Sequence, residues 1–320
     1  MGRVLAVVNQ KGGVGKTTTA ISLAAALSIA ERPTLLIDAD PQANSTRSLG
    51  FDPDPERASL YDALTESIPL EDLKLVHPEL PHLSIVPSDG NLVGAEVELV
   101  AAEGREYRLK RLLDDCRDNY QTILMDCPPS LNLLTLNALA AADAVLVPVQ
   151  CEYLALEGIS QLMQTLEMVR EALNPSLEIE GVIMTMYDDR TNLSRQVVEE
   201  VRAVLGEKVF KTVIPRNIRL GEAPSHGLPI FLYDIRSRGA KAYFDLAKEF
   251  VENEEKGTRE GAEKPDSADR STTDEPGAAA AAPSSADSGP DAGRDGGAAN
   301  ELGSGPAGHR PHRPEPGSTP

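Results

Sequence analysis

Residues 9–18 read Asn-Gln-Lys-Gly-Gly-Val-Gly-Lys-Thr-Thr, a spacing suited to holding a polyanion. Gly12, Gly13 and Gly15 let the backbone turn so that successive N–H groups point inward. A helix starting near the second lysine then presents its positive end to the same anion. Lys16 reaches β- and γ-phosphates as a point charge, and the Thr17 hydroxyl suits a magnesium ion. Gly12, Gly13, Val14, Gly15, Lys16, Thr17 and Thr18 are therefore candidate ATP-binding residues. The standard phosphate-loop pattern asks for glycine six positions before the lysine, where this chain has Gln10. It has an additional lysine instead. Lys11 lies beside glycines that give its side chain no support, so it is free either to serve its own loop or to reach beyond it.

Acids complete the chemistry. An apolar run ends in Asp38-Ala39-Asp40, and Pro41 stops it, which puts two carboxylates together. Asp40 is the candidate for holding an attacking water, and Asp38 for the shell around Mg²⁺ and Lys16. The same acids would alternatively serve as caps for the next helix. A later run, Ile123-Leu124-Met125, ends at Asp126, the arrangement that binds Mg²⁺ through water.

The elements that must position these groups are legible as alternating patterns. Val4–Val8, Thr34–Ile37, Leu83–Val86, Thr122–Met125, Ala144–Val149, Val182–Thr185 and Thr212–Ile214 read as buried strands. Between them lie helical spacings, such as Val93, Val97 and Val100, then Leu109, Leu112, Leu113 and Cys116. The last helix is expected over Gly239–Val251, burying Ala240, Tyr243, Phe244, Ala247 and Phe250. Strand–helix alternation with short connections predicts an α/β fold, a doubly wound, mostly parallel sheet with helices on both faces. Ligands then bind beyond the carboxyl ends of the strands.

Composition divides the chain. From Gly257 to Pro320 there is no aromatic residue, Val, Ile or Met, and Leu302 is the sole large aliphatic. Such a segment buries too little to offset its ordering entropy, so the expectation is an ATPase domain over 1–256 and a disordered Pro/Gly/Ala/Ser-rich acidic tail over 257–320. The net charge of −19 splits into −14 over residues 1–186, +3 over 187–248, −3 over 249–256 and −5 in the tail. One basic stretch in an acidic protein allows a local anion-binding patch but not a surface coated in positive charge. Cys116, Cys127 and Cys151 are widely spaced without a metal-ligand pattern, which suits a reducing cytoplasm. The longest apolar run, Leu133–Val149, is interrupted by Asn137 and Asp143 and is too short and polar to span a bilayer.

Four further stretches carry a family resemblance: Pro148–Tyr153, Met186–Leu193, Val213–Asn217 and Glu222–Gly227. With the loop at 9–18 in its deviant Walker form, K-G-G-x-G-K-T, the chain resembles ParA/Soj partitioning ATPases over residues 1 to about 252. The resemblance implies an ATP-bound sandwich homodimer that binds double-stranded DNA without sequence preference. It implies slow ATP hydrolysis, stimulated by a ParB/Spo0J-type partner, and a cytoplasmic protein associated with the nucleoid. Lys11 would cross the dimer interface to the partner's γ-phosphate, making Lys11, Lys16 and Asp40 the catalytic set. Pro215, Arg216 and Asn217 would line the adenine pocket, unless they form a simple loop. The first strand begins close to residue 1, so an N-terminal operator-binding module is not expected.

In the relatives, positions matching Arg190 and Arg219 contribute to DNA binding. Charge alone extends the patch to Arg236, Arg238, Lys241 and Lys248, each of which a solvated helix face would explain equally well. Phosphate-only contacts predict steep salt dependence and no base preference. Two other readings compete. A MinD-like membrane-positioning ATPase would need a basic amphipathic C-terminal helix, where this chain has a polar, Pro-rich tail. A metabolic ATP-dependent enzyme on the same fold would need a small acid substrate, and an iron–sulfur carrier would need clustered cysteines.

Overall fold

The computed structural model describes residues 2–52, 54 and 56–262, with side chains as far as Lys256. Its strands are β1 (Arg3–Val7), β2 (Thr34–Asp38), β3 (Leu75–Val76), β4 (Leu83–Val86), β5 (Thr122–Asp126), β6 (Ala144–Gln150), β7 (Glu178–Tyr187) and β8 (Val209–Pro215). They form one sheet in the order β3-β4-β2-β5-β1-β6-β7-β8. Every neighbouring pair is parallel except β3 with β4. The central strands are almost continuously apolar because both of their faces are covered.

Alternate residues feed two cores. Val4, Ala6, Leu35, Ile37, Ile123 and Met125 pack on one side with the helices around Leu60–Glu66, Leu133–Ala141 and Ala155–Ala172. Leu5, Val7, Leu36, Leu124 and Leu146 pack on the other, under the helices Lys16–Ile29 and Arg238–Ala262. Those two helices are tied together by a buried Thr19–Tyr243 hydroxyl pair at 3.0 Å.

Three expectations change. The short strand β3 was not foreseen, so Asp126 closes the fifth strand in the chain rather than the fourth. The helix at Leu92–Glu98 exists, but Val93, Val97 and Val100 are exposed while Leu92, Ala95 and Leu99 enter the core. The apolar spacing was real, and the buried stripe is the neighbouring one. The last helix begins at Arg238 and runs to Ala262, past the expected start of the tail, whose residues 263–320 lie outside the described residues. All three cysteines are buried. Among the described residues, no helix is long and apolar enough to cross a membrane.

Candidate functional site

Strand register builds the site. Val7 lies opposite Asp126, and Asp126 lies opposite Asp38. The loop leaving β1 and the two acids ending β5 and β2 therefore share one row at the carboxyl edge of the sheet. In the loop, Gly13 and Gly15 adopt φ of +74° and +93°, a region other residues enter at a cost. Gly15 precedes the helix Lys16–Ile29, which has no side-chain cap. Its first-turn amides are thus left for an anion.

The loop is pinned from outside. The Thr185 hydroxyl donates to the Val14 carbonyl at 2.8 Å. Asn9 donates to the Pro148 carbonyl at 2.7 Å and accepts from the Lys11 N–H at 2.9 Å. Gln10, in the place of the usual glycine, donates to Thr165 at 2.8 Å. The Lys16 ammonium turns back to the Lys11 carbonyl at 3.2 Å. Burial lowers the Lys16 pKa, and the charges of Asp126 and Asp40 oppose that shift.

Asp38 and Asp126 are both fully buried. Burial, then the neighbouring Asp126 charge, pushes Asp38 up to about 7. Burial likewise raises Asp126 to about 6, against the stabilising influence of the nearby Thr17 and Ser45 hydroxyls. Asp126 Oδ2 accepts the Ser45 hydroxyl at 2.8 Å, whereas Oδ1 is buried with no hydrogen-bond partner. A naked carboxylate oxygen near the Thr17 side chain and Lys16 is a good fit for a hydrated divalent cation, which would supply the missing partner. Asp38 spends its oxygens on Asp40 N–H and on Thr46. The acids that act on Lys16 are Asp126 and Asp40.

Lys11 is different. Its side chain is 48% exposed and forms an ion pair with Glu152, just past β6. Tyr153 and Leu154, the next two residues, are exposed apolar side chains on the same edge.

Pro215 ends β8 opposite Tyr187, and the Arg216 N–H donates to the Tyr187 carbonyl at 2.9 Å. That places residues 215–217 on the carboxyl edge, three strands from β1. The Asn217 side-chain oxygen caps the helix Ile218–Glu222 by accepting from Arg219 N–H at 2.8 Å.

The basic residues form two groups. Arg190 is bound to Asp188, whose carboxyl it holds well below the usual range, and Arg238 reaches the adjacent Asp189 at 3.1 Å. Arg219 pairs with Glu222 at 2.8 Å and Asp234 at 3.5 Å, and the Arg236 N–H also donates to Asp234. Lys241 lies about one turn beyond Arg238, and Lys248 farther along the same helix beside Glu252. All six are exposed.

Reading the motifs missed Ser45, Thr46, Ser88, Asn9, Thr185 and Glu152. Asn9 opens the glycine-rich stretch, Thr185 closes an expected strand and Glu152 lies in the Pro148–Tyr153 stretch, whereas Ser45, Thr46 and Ser88 are isolated polar residues with no spacing signal.

The profile of a family described as an AAA domain matches residues 2–179. The sporulation initiation inhibitor protein Soj of Bacillus subtilis is 53% identical over 253 residues, covering 79% of this chain and 100% of that protein. The chromosome partitioning protein ParA of Caulobacter vibrioides is 54% identical over 254 residues, covering 79% and 95%. A Mycobacterium smegmatis crystal structure, named as a cobyrinic acid a,c-diamide synthase with bound ADP and magnesium, aligns with a TM-score of 0.70 at 40% identity, covering 80% and 97%.

Proposed function

The chain belongs to the ParA/Soj family of chromosome-partitioning ATPases, and from that membership we propose that it is an ATP-dependent DNA-segregation protein acting as a nucleotide-gated dimer. The amides of residues 12–18 and the Lys16 ammonium bind the phosphates, with Pro215, Arg216 and Asn217 around the adenine. Thr17 and, through water, Asp126 hold Mg²⁺, which supplies neutralisation of the phosphate oxygens when bound. Asp40 orients a water whose oxygen bonds to the γ-phosphorus as the bridging bond to the β-phosphate breaks, yielding ADP and phosphate.

The observation that carries the dimer is Lys11. It stands half in solvent against Glu152 while Lys16 alone occupies the phosphate loop. An exposed ion pair contributes only about 0–1 kcal/mol, so a neighbour's triphosphate competes easily for this lysine. Dimerisation doubles the groups containing Arg190, Arg219, Arg236, Arg238, Lys241 and Lys248, which together hold DNA phosphates with modest individual contacts. A ParB/Spo0J-type partner then speeds hydrolysis and returns the protein to monomers, within the cytoplasm and on the nucleoid. The ATPase unit is residues 1–256, with its last helix continuing to Ala262.

The name of the Mycobacterium smegmatis structure favours one other reading, a metabolic ATP-dependent enzyme. Light scattering with Mg²⁺ and a non-hydrolysable ATP analogue, with and without duplex DNA, separates the two. The dimer reading expects doubling of mass and a DNA shift for wild type, with both lost in Lys11→Ala. A protein that stays single and ignores DNA, yet turns over ATP faster with a small acid substrate, would establish the alternative.

A further inference from the structure

The helix Asn44–Ser48 is only 5 residues long, and it follows Ala43, whose φ of +51° lies in the left-handed region. An alanine adopts that conformation at a cost, so tertiary contacts must hold it. They centre on Thr46. Its backbone N–H and its hydroxyl both donate to Asp38 Oδ2, each at 2.8 Å. Its hydroxyl oxygen also accepts from the Ser88 N–H at 3.0 Å. The Ser88 hydroxyl in turn donates to the Asp40 carbonyl at 2.8 Å, and Asp38 Oδ1 accepts from the Asp40 N–H at 3.3 Å. Asp40 is thus tethered on both sides of its own backbone, and both tethers lead to Thr46. All four residues are buried, so a broken bond would leave a polar group without water to replace it.

We propose that Thr46 is a positioning residue for hydrolysis, fixing Asp40 against the attacking water through Asp38 on one side and Ser88 on the other. The inference rests on the water-orienting role of Asp40 given above. A hydroxyl has one proton, here committed to Asp38, and one of its two lone pairs accepts from the Ser88 N–H. Valine matches threonine in shape and can make neither bond. Serine keeps both.

The test compares full-length Thr46→Val, Thr46→Ser and Asp40→Ala, measuring ATP turnover and, separately, the affinity for a fluorescent ATP analogue across a magnesium titration. Thr46→Val is expected to lose roughly 10–100-fold in kcat, the usual consequence of removing a supporting hydrogen bond behind an active-site ligand. Its analogue affinity and magnesium dependence stay close to wild type, and Thr46→Ser recovers most of the rate. Wild-type turnover by Thr46→Val beside an inactive Asp40→Ala would overturn the proposal alone. Wild-type turnover by Asp40→Ala would remove its premise and the proposal with it. Parallel loss of analogue binding and turnover in Thr46→Val would also overturn it, because Thr46 would then be maintaining the pocket rather than aiming Asp40. Should Thr46→Val fail to fold, Ser88→Ala cuts only the carbonyl tether; a several-fold fall in kcat supports the assignment, and an unchanged kcat rejects it.

Discussion

At the carboxyl edge of β2 and β5, two carboxylates are fully buried, whereas between residues 187 and 248 the arginines face water, Arg190, Arg219 and Arg238 each beside an acid. The buried acids pay for desolvation and are held by named donors from Ser45, Thr46 and the backbone of Asp40. Their geometry is over-determined, and a cation suits the one oxygen left over. The arginine pairs are cheap to form and cheap to break. A charge fixed in place can orient a reaction, while a charge in a weak surface pair can exchange its acid for a phosphate.

The sharpest way to break this contrast is Lys16→Ala. Charge-assisted hydrogen bonds contribute about 1.5–3 kcal/mol, so nucleotide affinity is expected to fall roughly 10–150-fold in analogue titrations. A loss smaller than threefold would mean that the lysine is as replaceable as a surface arginine.

Asp126→Asn probes the buried acids directly. The carboxyl of Asp126 is raised from 3.8 to about 6 in the fold, so the native state holds the proton more tightly than the unfolded chain does. Its contribution to stability is fully present below about pH 4 and is lost as pH rises through about 6. Asparagine does not ionise. The metal-free variant is therefore expected to exceed wild type by roughly 1–3 kcal/mol at pH 8, with the gain fading toward pH 4. Denaturant melts across pH measure this, and a pH-independent difference would refute it. Magnesium with nucleotide should stabilise wild type more than the variant.

The surface pairs call for a smaller test in both directions. Arg219→Ala should weaken DNA retention severalfold and reduce the salt slope by about 1, with basal ATP turnover intact. Glu222→Gln removes the acid at 2.8 Å from that arginine and should strengthen retention a few-fold. If both variants bind DNA like wild type in filter assays over a salt series, Arg219 is an ordinary solvated residue.

Much of this architecture is legible in the sequence alone. The major strand runs appear within a few residues of their expected places, since each is a local apolar pattern bounded by turns. The two-residue β3 is too short to leave such a pattern. For Val93, Val97 and Val100 the spacing identified one helix face but not which face meets the sheet, because that depends on neighbours far along the chain. Thr46 and Ser88 were invisible for the same reason. A lone hydroxyl has no periodicity, and its importance arises only when folding brings it against Asp38 and Asp40.

The sequence by itself determined the phosphate loop and its helix, because glycine φ freedom, a lysine at the helix start and an apolar strand before it are short-range matters. It also determined that acids would terminate two strands. Only the tertiary structure decided that Val7, Asp126 and Asp38 share one row, that one Asp126 oxygen is left without a partner, and that Lys11 rests against Glu152. Those outcomes depend on register between distant strands and on burial, where the same carboxylate changes from a solvated charge to a group that must be satisfied.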